Sequence, residues 1–256
     1  MIINNFNLLL SENVNVRTTG KNTGNEKTDS QIKKADSDSV DLSVSAKMTA
    51  QLQGLKESVN NINKAISFIK VADSYSNELH KIMLSLRKLS IKSANGTYSK
   101  TDRQLFQVEV SALVDEVDRI ASQAEYNRFK LLTGEFSRRG PKASMWIHIG
   151  PNMNNRERIY IQTMTAAAFK FKEANRVSLI VSTPEGANRS IGMIDEALHK
   201  VSKQRSDFRG SMSRLKSAAR SSISVMEKLL QHEDVKVNKN EIKVFIKDVK
   251  SKMNIH

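Results

Sequence analysis

From Met48 onward, apolar side chains recur in alternating steps of four and three: Met48, Leu52, Leu55, Val59, Ile62, Ile66 and Ile69. The line carries on through Ala72, Tyr75, Leu79, Ile82, Leu86 and Leu89, with a slip between Ile69 and Tyr75 where two steps of three follow each other. A seam of this kind commits the chain to a long helix that must bury a narrow stripe against other helices. The slip is a stammer, which locally overwinds a coiled coil. The spacing predicts a helix over 42–95, closed by a left-handed cap at Asn95-Gly96.

Two more helices follow from the same argument. Ser99 and Asp102 suit the cap and first turn of a helix over 100–131, with Phe106, Val110, Leu113, Val117, Ile120 and Ala124 as its seam. Thr183-Pro184-Glu185 opens a third helix over 184–231, because threonine caps, proline suits the first helical position and glutamate complements the dipole. Its seam reads Ala187, Ile191, Ile194, Leu198, Val201, Arg205, Phe208, Met212, Leu215, Ala219, Ser222, Met226 and Leu229, with Arg205 and Ser222 as polar breaks. The seam residues expected to carry the core include Leu52, Leu55, Ile62, Ile69, Leu86, Leu113, Ile120, Ile194, Leu198 and Leu215.

Between the second and third helices the period shortens to two. Met145, Ile147 and Ile149 alternate with Ser144, Trp146 and His148, and Ile159 and Ile161 alternate across a Gly/Pro/Asn-rich break. This predicts a β-hairpin over 143–164 with a loop longer than two residues. Ala166–Lys172 reads as a helical turn and Val177–Val181 as a short strand. The expected fold is therefore mainly α: an elongated antiparallel bundle of long heptad-patterned helices with a small β-hairpin. Residues 1–41 are polar and expected to be loosely ordered, 42–231 form the rod, and 232–256 form a Lys-rich tail. In that tail Ile242, Phe245, Ile246, Val249 and Met253 suit one more amphipathic helix.

The chemistry of the chain points away from catalysis. Cysteine is absent, which removes disulfides, thiol nucleophiles and Cys-ligated zinc. The five histidines are scattered, and no phosphate-binding loop, nucleophile elbow or metal-spaced cluster is present, so no catalytic, cofactor or metal residue is expected. A net charge of +14 raises the question of anionic partners, but the lysines are spread along the chain and no base-reading module occurs, so no specific nucleic acid is expected. No apolar run approaches the ~20 residues of a spanning helix. Met1–Leu10 lacks a basic leader and a small-residue cleavage site, so it does not read as a cleaved signal, and any export would have to leave the N-terminus intact.

Several segments resemble flagellins of the spirochaete periplasmic type. They are Met1-Ile2-Ile3-Asn4, Leu42-Ser43-Val44-Ser45-Ala46-Lys47-Met48, and Leu89-Ser90-Ile91-Lys92-Ser93-Ala94-Asn95-Gly96. Gln107-Val108-Glu109-Val110-Ser111, Asp118-Arg119-Ile120-Ala121-Ser122 and Ala143-Ser144-Met145-Trp146-Ile147-His148-Ile149-Gly150 follow in the family's order, then Ala187-Asn188-Arg189-Ser190-Ile191-Gly192 and Lys203-Gln204-Arg205. The resemblance covers about 42–215. It implies a rod domain without large outer domains, and a structural subunit of a periplasmic flagellar filament that supports motility. Its partners would be other flagellin subunits in a homo- or hetero-polymer, with filament sheath proteins and an export chaperone as further partners. It also implies Arg87, Arg119, Trp146 and Arg205 as candidate subunit contacts. The chain departs from the family before 42, where apolar positions are lost, and after Leu215, where a Lys-rich tail stands in place of the C-terminal core segment. These departures leave a second reading open, a non-polymerising helical adaptor derived from a flagellin.

Overall fold

The computed structural model describes residues 26–173, 176–232 and 237–254, with side chains from Leu42 onward. The chain divides into two units, Met1–Val44 and Ser45–His256. In the first, the described part is helical backbone: α1 spans Glu26–Ala94, so helix begins well ahead of the seam, in residues expected to be loose. Their composition is polar but contains no proline to stop a helix from propagating. The boundary expected at 42 therefore falls inside α1, and residues 1–25 lie outside the described part.

The second unit is a helical bundle. Leu52, Leu55, Val59, Ile62, Ile66, Ile69, Ala72, Leu79, Leu86 and Leu89 are all buried along α1. At ~1.5–3 kcal/mol for each large aliphatic side chain, this stripe supplies much of the drive for packing. The seam ends differently from expectation. Neither Asn95 nor Gly96 takes a left-handed conformation. Instead Arg103 reaches across from the next helix and donates to the carbonyls of Ser93 and Asn95 at 2.8 and 2.9 Å, satisfying α1's open C-terminal end.

α2 spans Lys100–Gln123 and opens with a reciprocal capping box between Ser99 and Asp102. It stops earlier than the expected 131. Asn127 and Arg128 both adopt positive φ, making a tight turn that pairs β1 (Glu125–Tyr126) with β2 (Phe129–Lys130). The turn brings Tyr126 and Phe129 into an edge-to-face cluster with Phe68 and Phe136, ring centres 5.6–5.8 Å apart. Apolar periodicity runs on past Gln123 because Leu131 and Leu132 are also buried, so spacing alone could not reveal the break.

β3 (Met145–His148) and β4 (Arg156–Ile159) form the predicted hairpin, with Trp146 opposite Arg158 and His148 opposite Arg156. Its connecting loop rests on α1: a side-chain carbon on Gly54 would sit 3.3 Å from Pro151. β5 (Lys172–Glu173) pairs with β6 (Arg176–Val177), so of the expected strand at Val177–Val181 only Val177 joins a ladder. The rest is extended chain held by side chains of all three long helices: the Gln107 amide donates to Leu179 O at 3.0 Å and accepts from Val181 N–H at 2.7 Å, Ser93 donates to Val181 O, and Ser190 donates to Ile180 O at 3.1 Å.

α3 (Pro184–Leu230) is capped by Thr183, whose hydroxyl accepts from Gly186 N–H. It runs antiparallel to α1, since Arg87 meets Asp195 while Arg205 meets Asp73. Its fully buried line is Ser190, Ile194, Ala197, Val201, Gln204, Phe208, Ser211 and Leu215, one position off the expected line at Leu198, Arg205 and Met212, which are half-buried at the edge. α4 (Lys239–Met253) folds back onto both long helices, burying Ile242, Ile246, Val249 and Met253. Lys56 of α1 pairs with Glu241 and Lys250 pairs with Glu227 of α3, fixing it from either side.

Candidate assembly surface

The ten expected seam residues divide by depth. Leu52, Leu55, Ile62, Ile69, Leu86, Ile120, Ile194 and Leu215 are buried, whereas Leu113 and Leu198 are half-buried against the same core. On α2 the buried line passes through Val110, Val114, Val117 and Ala121, displacing Leu113 to its flank.

The four candidate subunit contacts do not form one site. Arg87 bonds Asp195 at 2.6 Å, and that hydrogen bond holds its guanidinium above the ordinary arginine value. Arg205 bonds Asp73 at 2.9 Å with both side chains mostly covered. These two staple α1 to α3 from within the subunit. Arg119 lies on α2 and grips Glu116 and Gln123 of its own helix, which holds the Glu116 carboxyl below its usual range. Trp146 stands on the outer face of the hairpin, 43 % exposed.

Two groups went unassigned in the sequence reading. Gln204, rather than Arg205, is the long polar side chain buried inside α3's seam, and it bonds Tyr160 O and Gln162 N–H beyond the end of β4. Asp118 accepts from Ala166 N–H at 2.8 Å and, with Asp115, holds Lys172, whose ammonium is raised above the ordinary lysine value by those hydrogen bonds. The signal for both was a polar residue on or beside an apolar line.

A third group faces outward. Leu105 and Val108 on α2 are 64 and 69 % exposed, and Ala112 continues their line in the same three–four rhythm. Leu84 and Ile91, one heptad apart on α1, are also exposed. An apolar line on the solvent side of a heptad helix is what lateral packing of helices uses. No group of three or more His, Asp or Glu able to hold a metal occurs among the described residues. No described helix is long and apolar enough to cross a membrane.

The fold and surface thus define a helical packing module whose outward features suit protein contacts. Residues 12–137 match the family model for the bacterial flagellin N-terminal helical region. The chain is 47% identical over 193 residues to the flagellar filament core protein flaB2 of Brachyspira hyodysenteriae, covering 74% of this chain and 68% of that protein. It is 43% identical over 218 residues to the flagellar filament 33 kDa core protein of Treponema phagedenis, covering 83% of this chain and 73% of the relative. The crystal structure of Bacillus cereus flagellin shares the fold, with a TM-score of 0.52 at 21% identity over 64% of this chain and 88% of that one. The chain belongs to the flagellin family.

Proposed function

We infer that the chain is a structural subunit of a bacterial flagellar filament, assembling by helix packing with other flagellin subunits to support motility. The observation that carries this is its 43–47% identity to spirochaete filament core proteins over most of its length. The work is mechanical rather than catalytic. The same reading takes the filament to be periplasmic and the export to proceed without a cleaved signal, with filament sheath proteins and an export chaperone as further partners. Within the subunit, the seam makes the rod, and residues 1–41 are a degenerate N-terminal filament-core segment. The outward line of Leu105 and Val108, with Arg119, makes contacts to neighbouring subunits, because exposed apolar lines favour association. Arg87 and Arg205 act indirectly, by holding the two long helices in register.

Electron microscopy of the purified protein at neutral pH, alone and mixed with a full-length flagellin from the same cell, tests this reading. Filaments, or this protein decorating mixed filaments along their length, are expected. Persistent monomers in both samples would replace it with the non-polymerising adaptor.

A further inference from the structure

The outer face of the hairpin carries an alternation of cations and rings. The Arg156 guanidinium lies 4.4 Å and that of Arg158 3.7 Å from the Trp146 ring centre. Arg158 also donates to the Tyr160 hydroxyl at 3.4 Å, and Arg138 lies 5.0 Å over the Tyr160 ring. The order is Arg156, Trp146, Arg158, Tyr160, Arg138. None of these three guanidiniums has a carboxylate within 4.0 Å among the described residues, although twelve such pairs form elsewhere.

A guanidinium held over a ring can still present N–H groups outward, although one N–H of Arg158 is taken by the Tyr160 hydroxyl. The outward N–H groups are the fork that binds an oxyanion in bidentate fashion, and the ring fixes their orientation beforehand. The ladder also runs into a cavity of about 890 Å³ where Arg139 and Lys203 add cations that have no ion-pair partner among the described residues. Asp207 is the one acidic residue in its wall, and Arg214 there is engaged by Glu157. On the other side Trp146 borders a smaller, mainly apolar cavity with Phe68, Phe129 and Ile147, and Met153 at the hairpin loop is 87 % exposed.

We propose that this cation–ring ladder, with the cavity beside it, docks an acidic protein other than a second copy of this chain. A second copy fits poorly. Its net charge is +14, and Asp73, Asp115, Asp118, Asp195, Glu196 and Glu227 are already engaged in ion pairs. A protein is favoured over a phosphate polymer because arginine and aromatic residues side by side with apolar recesses are the composition of interface anchors. The Trp146 ring already carries two guanidiniums, so it is not an open platform for stacking bases. The inference goes beyond filament assembly and does not depend on it.

Trp146 is the chain's one tryptophan, so its emission reports on the ladder directly. The test titrates the full chain with poly-L-glutamate, with polyphosphate and with oligo-dT, following Trp146 fluorescence. Saturable binding of poly-L-glutamate, tighter than that of either phosphate polymer, is expected. R138Q/R156Q/R158Q should weaken it by roughly tenfold for each fork lost. K81Q/K88Q/K92Q removes the same charge from a stretch of α1 outside the ladder and its cavity and should change it little. R156K/R158K, which keeps the charge but not the fork, should bind more weakly than the parent. Far-UV circular dichroism establishes that each variant is folded. Equal weakening in the two glutamine triples, full binding by the lysine variant, or tighter binding of a phosphate polymer would each overturn the proposal. Filament formation by R138Q/R156Q/R158Q separates this outcome from failure of the assembly reading.

Discussion

Gln204→Leu should loosen the hairpin from α3 while leaving the helices in place. Gln204 is 1 % exposed, its carbonyl oxygen accepts from Gln162 N–H at 3.1 Å, and its amide donates to Tyr160 O at 3.0 Å. Leucine has similar bulk and no polar atoms, so the cavity term is small and the effect is that of two backbone groups losing their partners. Each costs ~1–3 kcal/mol when buried without a substitute, which gives ~2–6 kcal/mol together. For a domain of this size, ~1 kcal/mol moves the melting temperature by ~2–4 °C, so a mid-range loss of ~4 kcal/mol corresponds to ~8–16 °C. The assay is thermal unfolding followed by circular dichroism for the helices and by Trp146 emission for the hairpin. The Trp146 transition should fall further than the helical one. Arg205→Gln is the comparison: its Asp73 pair lies at the edge of the seam, glutamine can still donate to the carboxylate, and a loss of ~1 kcal/mol with coincident transitions is expected. A Gln204→Leu protein melting within ~2 °C of the parent would refute the reasoning that this amide pins the strand.

Three further outcomes follow from the same structure. Ile194→Asp should abolish cooperative melting of the bundle, because an unpaired carboxylate would enter a fully buried seam position; unchanged melting would remove Ile194 from the core. Gly134→Ala should lower the melting temperature by several degrees, since φ is +103° and the added carbon would lie 2.5 Å from the Thr163 hydroxyl oxygen; parental stability would show that the loop relaxes freely. The Glu241 carboxyl is held below its usual range by its hydrogen bond from Lys56, so its contribution is present above the unfolded value of ~4.3 and is lost as pH falls through the lower folded value. The stability difference between the parent and Lys56→Gln should therefore shrink in acid, and a difference that grows below about pH 4 would reverse the assignment.

Much of this protein was legible from spacing. Heptad rhythm places Leu52 through Leu89 on one face of a helix whatever the partner, because a 3.6-residue period leaves no other way to gather those side chains. The caps at Ser99 and Thr183 and the hairpin at Trp146 are likewise local, set by short-range hydrogen bonding and a two-residue period. What spacing could not decide was which of two neighbouring lines turns innermost. On α3 the lines through Gln204 and Arg205 fit equally well, and only contact with the end of β4 selects the amide for the interior and leaves the guanidinium to find Asp73. The early stop of α2 belongs to the same class, because two left-handed residues become worthwhile only once Tyr126 and Phe129 have Phe68 and Phe136 to pack against. The ladder on the hairpin also needed the fold: Trp146, Arg156, Arg158 and Arg138 are separate in sequence, and strand pairing and loop closure bring them together. Periodicity determines which side chains share a face, whereas burial depth and cross-element pairing depend on what that face meets.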